Sequence, residues 1–214
     1  MTPVVKICGL STAAAVEAAL DAGADMVGFV FFPKSPRHVG WETARALGRR
    51  ARGRAKIVAL SVDADDETLT RIAEALAPDI LQLHGRESPP RVKQIGALFG
   101  RPAMKAISVA ARDDLTAAEP YHGVADFLLV DAKPPRGAAL PGGNGRTFDW
   151  GIARDLSMPT PWLLSGGLQP GNVAEAIAVT RARGVDVSSG VESAPGRKDP
   201  DKMRRFIQNA RGAV

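Results

Sequence analysis

The sequence predicts an α/β fold, a single-domain (β/α)₈ TIM barrel over residues 1–214. Three observations predict it. Eight short apolar runs alternate with segments of helical period along the chain. The runs are continuously apolar, the pattern of parallel strands covered on both faces. The length of 214 residues lies near the lower limit for eight strand–helix units. A doubly wound open sheet is the competing architecture. No Gly-x-Gly-x-x-Gly follows the first run, which counts against a dinucleotide site there.

Val4–Cys8 forms the first strand, Gly9 ends it, and Ser11 to Gly23 reads as a helix. Met26–Phe32 is the second strand. The helix after it ends in Arg49, Arg50, Arg52, Arg54 and Lys56, where cations favour the negative end of the helix dipole. Ile57–Val62 follows, then Leu69, Ile72, Ala73 and Leu76 at i, i+3, i+4, i+7. After the fourth strand, Ile80–His84, Ser88 before Pro89 and Pro90 reads as an N-cap with proline in the first turn. Met104–Val109 and Phe127–Asp131 are the fifth and sixth strands. The helical segments after them, near 112–119 and 149–156, are weak. The Pro/Gly-rich stretch Pro134 to Gly145 falls after the sixth strand, where a barrel places an active-site loop, and its length suggests a lid. Trp162–Ser165 and Val185–Ser188 complete the set. Gly23, Gly53 and Gly184 read as C-terminal helix stops. Met203, Phe206, Ile207 and Ala210 give the last helix its apolar stripe.

A chain 45% hydrophobic and 24% charged reads as a soluble globular protein. No apolar run approaches the roughly 18 residues of a membrane span, so no membrane association is expected. Met1 leads almost directly into the first strand without a charged-then-apolar leader, and the chain has a single cysteine. Both fit a cytoplasmic protein. The net charge of +5 and pI ≈ 9.7 raise nucleic acid as a partner. Few aromatics and no nucleic-acid motif make a small anionic substrate the better reading. Cys8, His38, His84 and His122 lack metal-ligand spacing, so no metal is expected.

Chemistry in a (β/α)₈ barrel gathers at the carboxyl ends of the strands. The first strand ends in Cys8, which is either buried packing or a functional thiol. Lys6 shares a face with Cys8 and Val4, so it points into the barrel, with Asp186 as its plausible ion partner. Arg37 follows the second strand and can hold a carboxylate through a two-pronged contact, or sit solvated in its loop. His84 ends the fourth strand, as a donor or as a packed structural histidine. Asp131 ends the sixth after an apolar run. Burial there suits a general acid, since loss of water disfavours the charged carboxylate. An N-cap or a partner for Lys133 is the other reading. Gly166 and Gly167 after the seventh strand, and Ser189 and Gly190 after the eighth, leave backbone N–H groups free to converge on a phosphate.

The ordered set resembles the phosphoribosylanthranilate isomerase family of tryptophan biosynthesis. The resemblance rests on Lys6-Ile7-Cys8-Gly9, Gly28-Phe29-Val30-Phe31 with Ser35-Pro36-Arg37, and Gln82-Leu83-His84-Gly85. It extends through Asp131, Gly142-Gly143-Asn144-Gly145, Phe148-Asp149-Trp150, Ser165-Gly166-Gly167-Leu168 and Ser188-Ser189-Gly190-Val191-Glu192. The family's glycine loop usually carries a Thr where this chain has Asn144. The resemblance implies a cofactor-free Amadori rearrangement of a phosphorylated small molecule, with Asp131 as acid and Cys8, as thiolate, as base. It also implies that Arg37 takes the anthranilate carboxylate, that Lys6, His84, Gly143 and Asn144 bind substrate, and that the enzyme is a monomer or homodimer. A cation such as Lys6 lowers the pKa of a neighbouring thiol. Another phosphosugar isomerase on the same barrel, or a phosphometabolite-binding barrel without turnover, are the alternatives.

Overall fold

The structure, a computed structural model, describes residues 2–134, 137, 140, 142, 143, 145, 147–154 and 156–213. Asn144 therefore lies outside the described residues. Eight strands close into a barrel in chain order, and every neighbouring pair is parallel. They are β1 (Val4–Cys8), β2 (Met26–Phe31), β3 (Lys56–Ser61), β4 (Ile80–Leu83), β5 (Ala103–Val109), β6 (Phe127–Ala132), β7 (Trp162–Leu164) and β8 (Gly184–Val187). Around them run α1 (Ala13–Asp21), α2 (Trp41–Ala51), α3 (Asp66–Leu76), α4 (Pro89–Phe99), α5 (Val173–Thr180) and α6 (Pro200–Arg211). The weak helical segments after β5 and β6 fold as 3₁₀ turns, Arg112–Tyr121 and Trp150–Ala153. A short antiparallel hairpin, β9 (Glu192–Ala194) and β10 (Arg197–Lys198), leads into α6.

Alternation along each strand builds two cores. Val5, Ile7, Val27, Phe29, Ile57, Leu81 and Leu128 point outward and pack beneath the helices. On α6, Met203, Phe206 and Ile207 fill that layer, and burying side chains of this size contributes about 1.5–3 kcal/mol each. Inside the barrel, Met26, Val58, Ile80, Met104, Leu129 and Leu163 form a separate apolar cluster. Two positions further along, the same inward faces carry Gln82 and Asp131, while β1 carries Lys6 and then Cys8. The interior thus changes from apolar to polar toward the carboxyl ends of the strands.

Three aspartates fasten the opposite end. The Asp25 carboxylate accepts from Val5 N at 2.8 Å, and Asp25 N donates back to Val5 O. Asp79 does the same with Ile57, and Asp126 with Ala103. Each stands immediately before an even-numbered strand and holds the start of the strand before it.

Helix ends follow local chemistry. Ser88 caps α4, with proline in its first turn. Gly23 and Gly53 stop α1 and α2 in left-handed conformation. Gly184 is no helix stop: it is the first residue of β8, and α5 ends on Arg181 at φ 55°. A side chain at Gly184 would meet Leu163 Cγ at 2.9 Å, so glycine there serves close strand packing. The basic stretch at the end of α2 is occupied internally. Arg50 and Arg54 pair with Glu17, and Arg52 donates to the carbonyls of Leu76 and Ala77 at the end of α3. Among the described residues no helix is long and apolar enough to cross a membrane.

Candidate active site

The polar end of the interior opens into a cleft at the carboxyl ends of the strands, where barrels of this kind carry their sites. Cys8, Arg37, His84 and Asp131 line it together with Gly143, Gly166, Gly167, Ser189 and Gly190. Nine of the residues singled out in the sequence therefore meet in one place. Lys6 does not reach the cleft surface. It is fully buried beneath it, where Nζ donates to Asp186 Oδ1 at 2.7 Å. Ser165 Oγ donates to the other oxygen of Asp186 at 3.2 Å.

Cys8 is buried at the end of β1. Opposite it in register is Gly28, where a Cβ would lie 2.9 Å from the sulfur. The thiol occupies space that β2 leaves by having no side chain. Burial pushes the Cys8 pKa up, and the charge of Lys6 only partly offsets it. The expectation that the cation would dominate is thus corrected, because this thiol is far drier than a strand end reads in sequence. Burial also penalises the Lys6 ammonium, but Asp186 and Cys8 outweigh that and hold its pKa above the ordinary lysine value.

Asp131 sits across the cleft on β6. Its Oδ1 accepts from Ala132 N at 2.9 Å. Lys133 is not its partner, since that side chain pairs with Asp114 at 3.1 Å. Asp131 Oδ2 lies 3.2 Å from His84 Nε2, yet the two are not aligned as a hydrogen bond, and Nε2 has no partner among the described residues. His84 Nδ1 meets Gln82 Nε2 at 3.0 Å, and Gln82 Oε1 likewise has no partner among the described residues. Buried polar atoms are normally satisfied. Two unpaired ones in the cleft wall beside Asp131 are positions for a ligand or water to fill. Gly142, from the loop after β6, lies directly over this pair. A Cβ there would come within 2.7 Å of His84 Nε2 and 2.8 Å of Asp131 Oδ2.

Arg37 departs from the expected two-pronged grip on a ligand. Both prongs are taken within the protein: Nε donates to Glu192 Oε1 at 2.7 Å and Nη2 to Glu192 Oε2 at 2.9 Å. Glu192 also accepts from Lys198 Nζ at 2.8 Å. Burial works against its charge, but Arg37 and Lys198 prevail and hold the carboxyl below the usual glutamate value. The Lys198 pKa is lowered by burial. Glu192 is only the last residue of a motif singled out in the sequence, and Lys198 lies outside every such motif. The signal was the segment's two charges six positions apart, around the turn at Gly196.

The glycines of the anion loops are required by space. A Cβ at Gly166 would strike Ala132 N at 2.5 Å, and one at Gly190 would overlap the carbonyl oxygen of Leu168. The second contact seats the loop after β8 against the loop after β7.

A family model described as N-(5'phosphoribosyl)anthranilate (PRA) isomerase matches residues 5–209. A relative named N-(5'-phosphoribosyl)anthranilate isomerase, from Rhodopseudomonas palustris, is 58% identical over 213 residues, covering 100% of this chain and 98% of its own. The crystal structure of phosphoribosyl anthranilate isomerase from Thermotoga maritima superposes with a TM-score of 0.88 at 36% identity, covering 99% of this chain and 100% of that one. A further structure, of the isomerase in complex with reduced 1-(o-carboxyphenylamino)-1-deoxyribulose 5-phosphate, has a TM-score of 0.84 at 34% identity, again covering 99% and 100%. By the family model and these relatives, this protein belongs to the phosphoribosylanthranilate isomerase family.

Proposed function

We propose that this chain, as one domain over residues 1–214, isomerises N-(5-phosphoribosyl)anthranilate to 1-(2-carboxyphenylamino)-1-deoxyribulose 5-phosphate with Asp131 as acid and Cys8 as base. The observation that carries the assignment is their placement on β6 and β1 in one cleft, which the glycine loops and Arg37 also line. Asp131 gives a proton to the ring oxygen, the C1–O bond breaks, and the nitrogen lone pair forms the C1=N bond of a Schiff base. The Cys8 thiolate takes the C2 proton, and those electrons make an enolamine. C1 then gains a proton while the C2 hydroxyl loses one, leaving the ketone. One proton given by Asp131 is matched by one taken at Cys8, and exchange with solvent resets both. No co-reactant enters this balance. Lys6 acts from beneath as a charge opposing the rise in the thiol's pKa. Arg37 Nη1, the edge Glu192 leaves open, faces the cleft for the anthranilate carboxylate. Gly166, Gly167, Ser189 and Gly190 surround the phosphate, and Gly143 with Asn144 belongs to the closing loop. A monomer or a homodimer acting in the cytoplasm is part of this reading.

The direct test is loss of the fluorescent anthranilate derivative on adding purified protein. A substrate without its phosphate should bind at least about a hundredfold more weakly, because several anion hydrogen bonds of roughly 1.5–3 kcal/mol each disappear. Equal affinity would remove the phosphate assignment.

Cys8 is the only cysteine, so alkylation reports on it alone. Iodoacetamide attacks the thiolate, and burial raises this thiol's pKa. The labelling rate should therefore climb with pH through a midpoint above the roughly 8.5 of a free cysteine. Product should slow labelling and inorganic phosphate slow it less, as read by mass spectrometry. Full labelling with activity retained would refute Cys8 as base.

A further inference from the structure

A guanidinium presents five N–H groups in a rigid plane, and where that plane points decides what it can bind. Arg37 is 6% exposed, with its stem packed on Gly9, the residue after Cys8: a Cβ at Gly9 would strike Arg37 Cδ at 2.6 Å. Glu192, itself 8% exposed, takes Nε and Nη2 together. Among the described residues nothing else takes the Nη1 edge, which lies against Gly143, where a Cβ would come within 2.8 Å of it. Lys198 completes the cluster. Its ammonium bridges Glu192 Oε1, Ser188 O and Ser188 Oγ at 2.8, 2.8 and 3.2 Å. Ser188 is the residue before the β8 anion loop. Two buried cations thus share one carboxylate, which connects the second-strand loop to the phosphate end of the cleft.

We propose that Glu192 is a positioning residue for specificity: it locks the Arg37 plane so that a single N–H edge meets the substrate's aromatic carboxylate, and through Lys198 it fixes that edge relative to the phosphate loop. The distance between the substrate's two anionic ends is then read by a rigid Arg37–Glu192–Lys198–Ser188 chain. This inference rests on Arg37 receiving the carboxylate.

Glu192→Gln keeps the shape and removes the charge. Its amide nitrogen faces an Arg37 donor, so the fork breaks and the plane turns. Inhibition constants are measured for the reduced product and for its anilino counterpart lacking the carboxylate, in wild type, Glu192→Gln, Glu192→Asp and Arg37→Met. Folding is checked by circular dichroism. In Glu192→Gln the carboxylate-bearing ligand should weaken about tenfold or more, as for loss of a charged hydrogen bond, and the anilino ligand less than about twofold. KM should rise much more than kcat falls. Glu192→Asp, which keeps the charge, should recover part of the preference, and it carries the test alone should the Gln variant not fold. A merely structural role would weaken both ligands together. If Arg37→Met loses the preference while both Glu192 variants keep it, the positioning role is overturned and the Arg37 reading stands. If Arg37→Met keeps the preference, the Arg37 reading itself falls, and the proposal with it.

Discussion

Asp131→Asn is expected to lower kcat by about 10²–10⁴-fold, the usual contribution of a positioned general acid, with the barrel intact. The substitution is close to isosteric, and the amide oxygen still accepts from Ala132 N, now at 2.9 Å to Oδ1. What is lost is the proton for the ring oxygen. Cys8→Ala should cost a similar factor for the opposite reason, since nothing else at the end of β1 can take the C2 proton. Removing the thiol empties the space that Gly28 leaves beside it, so a fold cost is read separately from the kinetics. Both are measured by steady-state kinetics beside a thermal melt. A folded variant of either kind with near-normal kcat would remove that residue from the mechanism. KM should change less than kcat in both, because neither side chain holds the phosphate or the carboxylate.

The largest stability effect is expected at Lys6→Met. The Lys6–Asp186 pair is buried within the barrel, with 0% and 6% side-chain exposure. Removing the cation leaves Asp186, among the described side chains, with the Ser165 hydroxyl 3.2 Å away as its remaining hydrogen-bond partner. An uncompensated buried charge costs about 3–5 kcal/mol. In a chain of 214 residues that is roughly 6–20 °C in Tm. Adding Asp186→Asn should restore part of the loss, since the orphan charge goes with it. Calorimetry of the two single variants and the double variant measures the coupling. If Lys6→Met melts with the wild type, the pair contributes nothing to stability. The single variant should also label more slowly at Cys8, because the cation that opposes the rise in its pKa is gone.

Most of the architecture was legible because a small barrel repeats one instruction. The eight apolar runs match the eight strands to within a residue at either end. Strand ends in such a fold converge whatever lies between, so Cys8, Asp131 and the glycine loops could be placed on one mouth from order alone. The misreadings share a cause. Arg37 displays its fork in sequence, but not that Glu192, 155 positions away, fills it. Lys6 displays a charge two residues from Cys8, but not the dryness that overrides it. Gly184 has the composition of a helix stop, and only the approach of Leu163 shows what it is for. Pairing between distant charges, and the balance between charge and burial, belong to the assembled interior and have no local trace.

Asp25, Asp79 and Asp126 carry a different implication. Each joins β1 to β2, β3 to β4, or β5 to β6 by a reciprocal pair of bonds. Among the described residues no such reciprocal pair crosses from β2 to β3 or from β4 to β5. The cylinder is therefore assembled from two-strand modules rather than eight equal staves. A chain severed within α2 or α4 would keep every aspartate clasp inside a fragment, whereas a cut within α1 or α3 would divide one. For complementing fragments or permuted termini, the seams of this barrel run between its pairs.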